Sequence, residues 1–260
     1  MKSYENLNLQ FIDGAWGKGN SNSVIKNLNP FDESLIHEIQ ASSEEDVDVA
    51  HEAASKAAES WGKELPQKRA EIIQKAVQIL ESRKEEVIEW LIKEAGSTRV
   101  KAEVEVQITM GIMKESASFP TRSHGYIFDS LTPGKESRAY RKPLGVIGII
   151  SPWNFPLNLS MRSIAPAIAL GNAIVLKPAS QTPVTGATIA AKIFEEAGLP
   201  KGVFNVVIGK GSEIGDYFVK HPVSKLISFT GSTPVGRNIG KLAGEAVKKT
   251  SLELGGNNVF

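Results

Sequence analysis

From Val146 onward the chain carries five short apolar stretches, "VIGII", "AIVLK", "VFNVVIG", "KLISF" and "TSLEL", each separated from the next by a segment of helical pattern. Runs this apolar need cover on both faces, and connections this long suit parallel rather than hairpin pairing. The pattern predicts an α/β fold: a parallel sheet with helices on both faces, in doubly wound order. Ligands of such sheets sit outside the carboxyl ends of the strands, so the residues after each run are the ones to read for chemistry.

The connecting segments fit this scheme. "LSMRSIAPAIAL" reads as a helix kinked at Pro166. Thr182 is placed to cap a helix with Pro183 at its first position and Gly198 past its end. "GSEIGDYFVK" is a short helix, and Thr233-Pro234 opens another that runs to about Val247. "NNVF", at the end, reads as the start of a further strand.

Before Val146 the pattern differs. "LQFIDGAW" places Asp13-Gly14 between apolar arms, a hairpin signal. Ser43, three residues before Asp46, is a helix N-cap, with Gly62 beyond that helix. Pro66 opens a helix whose Ile72, Ile73, Ala76, Val77 and Leu80 share one face. Two more helices are expected around Glu85–Ala95 and Arg99–Ser116. Thr132-Pro133-Gly134 then joins two mixed arms into a protruding hairpin. The expected division is residues 1–121 as a hairpin and helical layer, 122–142 as the protruding hairpin, and 143–260 as the binding core.

Composition removes several functions. The 30 Lys+Arg nearly balance the 29 Asp+Glu, with no basic block, so nucleic-acid binding has no electrostatic footprint. No stretch reaches the ~18 apolar residues of a membrane helix, and "MKSYENLNLQ" lacks an apolar signal core, so a cytoplasmic protein is expected. There is no cysteine, hence no disulfide, thiolate metal site or thiol nucleophile. His37, His51, His124 and His221 are scattered without ligand spacing, and no metal site is expected.

Four stretches follow predicted strands. In "SPWNFPL" two prolines bracket Trp153-Asn154-Phe155; Asn154 is either a donor to an oxyanion or a turn asparagine. In "LKPAS" Lys177 at a strand tip reaches a ribose or phosphate, or is a surface lysine. "GKGSEIG" is GxGxxxG rather than GxGxxG, and no acidic residue ends a following strand, so its glycines are first of all turn residues. In "SFTGSTPVG", Gly231 and Ser232 lead into a helix whose free N–H groups suit a pyrophosphate, or form an ordinary capped turn. The fifth run ends on Glu253, a carboxylate between two leucines and ahead of a Gly pair.

The combination "PWNFP … GNAIVLKPAS … FTGST … LELGG" resembles the NAD(P)-dependent aldehyde dehydrogenase superfamily over essentially the whole chain, and its wording is most similar to bacterial enzymes for aromatic aldehydes such as benzaldehyde or vanillin. The resemblance implies a Rossmann-like cofactor domain binding NAD or NADP. In it Asn154 donates its amide to the oxyanion of a thiohemiacetal, and Glu253 is the general base that activates water. Apolar company makes a carboxylate harder to ionise, which suits a base working near pH 7. Lys177 holds the adenosine ribose with Ser180 beside it, and Gly231-Ser232 hold the pyrophosphate. Phe229 packs near the nicotinamide end. Ile150, Ser151, Pro152, Trp153, Gly209, Thr230, Val235 and Leu254 complete the expected cofactor contacts.

The family's nucleophile is a cysteine some tens of residues beyond this glutamate, in a second domain. The expectation is therefore the cofactor-binding half of such an enzyme, shortened by design, proteolysis or a premature stop, and inactive alone. In the family the protruding hairpin helps oligomerise the enzyme, so a homo-oligomer acting on a small aldehyde is expected, with neither nucleic acid nor membrane as partner. Two other classes stand beside this one: a nucleotide-binding or assembly module without chemistry, and a hydride-transfer dehydrogenase without a covalent step.

Overall fold

The computed structural model describes residues 3–256. It opens with two hairpins, β1 (Gln10–Ile12) with β2 (Ala15–Gly17) and β3 (Val24–Leu28) with β4 (Leu35–Gln40). Asp13 and Gly14 both adopt positive φ, 51° and 74°, as the tight turn predicted there requires. The β3–β4 hairpin has no counterpart in the sequence reading.

Helices α1 (Glu44–Trp61), α2 (Pro66–Ser82), α3 (Lys84–Ala95) and α4 (Arg99–Ala117) follow, with a single turn α5 (Phe119–Arg122). Ser43 caps α1 as expected: its hydroxyl accepts the Asp46 N–H, and the Asp46 carboxylate accepts the Ser43 N–H in return. Gly62 closes α1 in a right-handed conformation, so its φ of −64° makes no use of glycine's freedom. Next come β5 (Tyr126–Asp129) and β6 (Glu136–Ala139), an antiparallel pair exposed at every residue.

The remainder alternates: β7 (Val146–Ile150), α6 (Pro156–Ala169), β8 (Ala173–Lys177), α7 (Ile189–Glu196), β9 (Phe204–Val206), α8 (Asp216–Lys220), β10 (Ser224–Thr230), α9 (Thr233–Glu245) and β11 (Lys249–Glu253). The sheet order is β11-β10-β7-β8-β9-β1-β2, parallel from β11 to β9, with β1 antiparallel to β9. The chain winds outward from β7 through β8 to β9 and then returns to β10 and β11 on the other side of β7. That reversal puts a topological switch point between β7 and β10.

Alternate residues of β8 enter opposite layers, as strand geometry dictates. Ile174 and Leu176 pack with α2, α4, α6 and α7, whereas Ala173 and Val175 pack with Val47, Ala50 and Ala54 of α1 and with Phe218 of α8. The predicted face of α2 is buried at all five positions.

Two expectations are corrected. Thr182 does not cap a helix with its side chain: its hydroxyl is buried without a partner, and the segment opens as a π-helical turn, Val184–Thr188. "VFNVVIG" contributes only three residues to the ladder. The strand expected at "NNVF" lies outside the described residues.

Candidate functional site

Strand register brings the predicted residues to one edge. Ile150 stands opposite Lys177 on β8 and Phe229 on β10, Phe229 opposite Leu252, and Thr230 opposite Glu253. Between β7, β8, α8 and α9 opens a cleft of about 480 Å³ whose lining includes Ile150, Lys177, Gly211, Gly215, Pro234 and Val235.

Lys177 is the distinctive group. Its side chain is buried, and burial pulls its pKa down to about 8. Its ammonium makes one long hydrogen bond, 3.4 Å, to the carbonyl of Pro178. A buried cation with so little compensation is poised for an external acceptor. The surface-lysine alternative does not hold. Nearby, Ser151 donates its N–H to Lys177 O at 3.2 Å, and its own hydroxyl is buried without a partner.

Val235 is half exposed on the first turn of α9 and lines the cleft. No side chain caps α9, and Pro234 sits in its first turn, so the N–H groups of Thr233 and Val235 have no intrahelical acceptor. Ser232, the N-cap residue, is exposed in extended conformation. Gly231 is less free than expected: its N–H continues the sheet ladder into Glu253 O at 3.0 Å. The Phe229 ring lies directly beneath Gly231, where any Cβ would collide with it. Phe229 is thereby buried, and Thr230 half-buried.

Other predicted residues stand outside the cleft lining. Gly209 is buried where a Cβ would meet Ile214, a packing role. Of that GxGxxxG stretch it is Gly211 and Gly215 that line the cleft, with open space where a Cβ would be. Ser180 is half-buried three residues past Lys177. Leu254 packs over Gly236. Pro152 is half-buried, while Trp153 and Asn154 are exposed beyond the tip of β7, the Asn154 amide without a hydrogen-bond partner among the described residues.

Glu253 departs from expectation. Its side chain is 56 % exposed and pairs with Arg162 of α6 at 3.2 Å. Leu252 and Leu254 point elsewhere, so flanking leucines do not bury this carboxylate in the chain as it stands. Sequence reading missed Gly211, Ser212, Gly215, Asp216, Asn238 and Ile239 of the cleft, although the GxGxxxG stretch was on view. A second hollow of about 560 Å³, near the amino ends of β7 and β8, holds none of the predicted residues.

The sequence pattern of the family described as "Aldehyde dehydrogenase family" matches residues 16–260. The chain is 59% identical over 251 residues to a vanillin dehydrogenase of Corynebacterium glutamicum, covering 96% of this chain and 52% of that protein. It is 48% identical over 260 residues to benzaldehyde dehydrogenase YfmT of Bacillus subtilis, covering 100% and 54%. A crystal structure of a NAD-dependent benzaldehyde dehydrogenase from C. glutamicum superposes with a TM-score of 0.95 at 57% identity, covering 96% of this chain and 55% of that one. The chain spans about half the length of the curated relatives it matches.

Proposed function

The chain belongs to the aldehyde dehydrogenase family, and from that premise we propose that it forms the dinucleotide-binding part of an enzyme oxidising an aldehyde to a carboxylic acid with NAD or NADP. The observation that carries the reading is Lys177, a buried ammonium with one long hydrogen bond, on the wall of a cleft at the carboxyl edge of the sheet. The residues present fit a dinucleotide. Bare glycines allow close approach, the uncapped start of α9 suits a phosphate, and the orphaned Ser151 hydroxyl lies one residue from the cleft wall.

When bound, the dinucleotide supplies the hydride acceptor. Lys177 would donate to a ribose hydroxyl. The first-turn amides of α9 would hold the phosphates, and Ile150 and Val235 would supply apolar walls. Asn154 donates its free side-chain amide to the oxygen of the aldehyde adduct, and Glu253, released from Arg162, takes a proton from water. The attacking thiol is not among these 260 residues, which contain no cysteine, so it comes from elsewhere in the complete protein. Residues 1–121 serve as the supporting layer, 122–142 as an association hairpin and 143–260 as the binding core. The names of the relatives favour an aromatic aldehyde, and the complete enzyme is read as a cytoplasmic homo-oligomer.

One observation favours an assembly role as well: Tyr126, Ile127, Phe128, Leu131 and Tyr140 of the hairpin region are all exposed. The test is a titration of the pure chain with NADH, followed by incubation with benzaldehyde and NAD. Binding without steady NADH formation is expected; steady NADH formation would contradict the reading.

A further inference from the structure

Helix α6 has no side-chain cap of its own, and Pro156 stands in its first turn, leaving the N–H groups of Leu157 and Asn158 without intrahelical acceptors. Both are taken by a residue distant in sequence. Glu105 Oε1 accepts the Leu157 N–H at 2.9 Å and the Asn158 N–H at 3.2 Å. Glu105 lies on α4 and is fully buried. Its neighbours one turn either side complete the contact. Lys101 Nζ stands 3.6 Å from Glu105 Oε2 and 4.3 Å from the centre of the Phe155 ring, and Thr109 Oγ1 accepts from Asn158 Nδ2 at 3.4 Å. Residues 101, 105 and 109 recur every four positions and so share one face of α4.

We propose that Glu105 is the positioning residue for the Trp153–Phe155 turn, and through it for Asn154. A buried carboxylate is costly unless charge and hydrogen bonds offset it, and an apolar residue would fill this place by default. Here the offset comes from two amides of the helix that begins directly after the turn and from Lys101, which also covers Phe155. The turn itself makes few bonds of its own: Trp153 and Asn154 are exposed, and Phe155, the N-cap residue, has φ −135° and ψ 67°, neither helical nor extended. Its geometry therefore depends on where α6 starts, and Glu105 sets that start. The role in catalysis rests on the proposed reading of Asn154 as the donor to the adduct oxygen.

The test compares wild type with Glu105→Gln and Glu105→Ala in the 260-residue chain. Amide hydrogen exchange is followed over residues 151–158 and over 173–177 of β8, together with the side-chain amide NMR signals of Asn154. In Glu105→Ala, exchange over 151–158 is expected to quicken at least tenfold, with 173–177 within twofold of wild type and the Asn154 signals shifted. Glu105→Gln, which keeps one acceptor oxygen, restores most of the protection; if the alanine variant does not fold, the glutamine variant is expected to show a smaller quickening confined to 151–158. Unchanged exchange over 151–158, or equal quickening in both segments, overturns the proposal. A parallel NADH titration of wild type tests the functional reading separately: absence of binding would overturn that reading while the exchange result still decides the role of Glu105.

Discussion

Arg162 Nη2 on α6 lies 3.2 Å from Glu253 Oε1 at the end of β11, and both side chains are more than a third exposed to solvent. An ion pair this wet is screened and contributes at most about 1 kcal/mol. Arg162→Gln is expected to lower the unfolding free energy by less than about 1 kcal/mol in urea titration. A loss above about 2 kcal/mol would show that the pair is shielded and that its partners are not free to separate.

His51 supplies a pH dependence. Its ring is buried, with Nδ1 2.8 Å from Val47 O and Nε2 2.8 Å from Ser224 Oγ, and it stacks on His221 at 4.0 Å. Burial first, and then the neighbouring His221, pull its pKa from 6.5 down to about 3. Because the folded value is depressed, the unfolded chain takes the proton first. The stabilisation is complete above about pH 6.5 and lost as pH falls toward 3. Between pH 7 and pH 5 this residue should remove about 2 kcal/mol of stability, and His51→Gln should flatten that fall. Equal slopes in wild type and variant would contradict the assignment.

Association is expected of the isolated chain. The hairpin residues Ile127 and Leu131 are exposed, and β11 is paired only with β10 among the described residues. Apolar patches and open strand edges both drive contact between copies. Sedimentation at tens of micromolar should give species heavier than the 28.1 kDa chain, and Ile127→Asp with Leu131→Asp should reduce them. A monodisperse wild-type monomer would count against this.

Ser180 bears on the choice of dinucleotide. A carboxylate at this place would repel a ribose 2′-phosphate by up to about 4 kcal/mol at close range and an effective dielectric near 20. A serine does not, and Lys177 stands three residues away. NADP should bind within about tenfold of NAD, a gap near 1.4 kcal/mol, and Ser180→Glu should weaken NADP while sparing NAD. Calorimetry that finds NADP affinity unchanged in the variant would rule this out.

What could be read from the sequence was local. The Ser43–Asp46 capping box and the Asp13-Gly14 turn depend on neighbours a few residues away, and both appear as expected. The β3–β4 hairpin stayed hidden because its alternation is masked: Val24 and Leu28 are exposed, while the polar Asn27 is buried against Glu94. The same Glu94 explains the failed cap at Thr182, since it accepts the N–H of Val184 and of Thr185 at 2.9 and 2.6 Å from ninety residues away. The apolar burial expected of the Glu253 carboxylate is absent because the leucines next to it in sequence do not face it. Only tertiary packing decides such points.

The central claim is that the buried ammonium of Lys177 holds a dinucleotide at the carboxyl edge of the sheet. The measurement is calorimetric titration of NAD and NADP into the wild-type chain and into Lys177→Met, which keeps the buried stem and removes the charge. Single-site binding by wild type, weakened at least about tenfold in the variant (about 1.4 kcal/mol), is the predicted result. Equal affinity in the two proteins, or no binding by wild type, would contradict it.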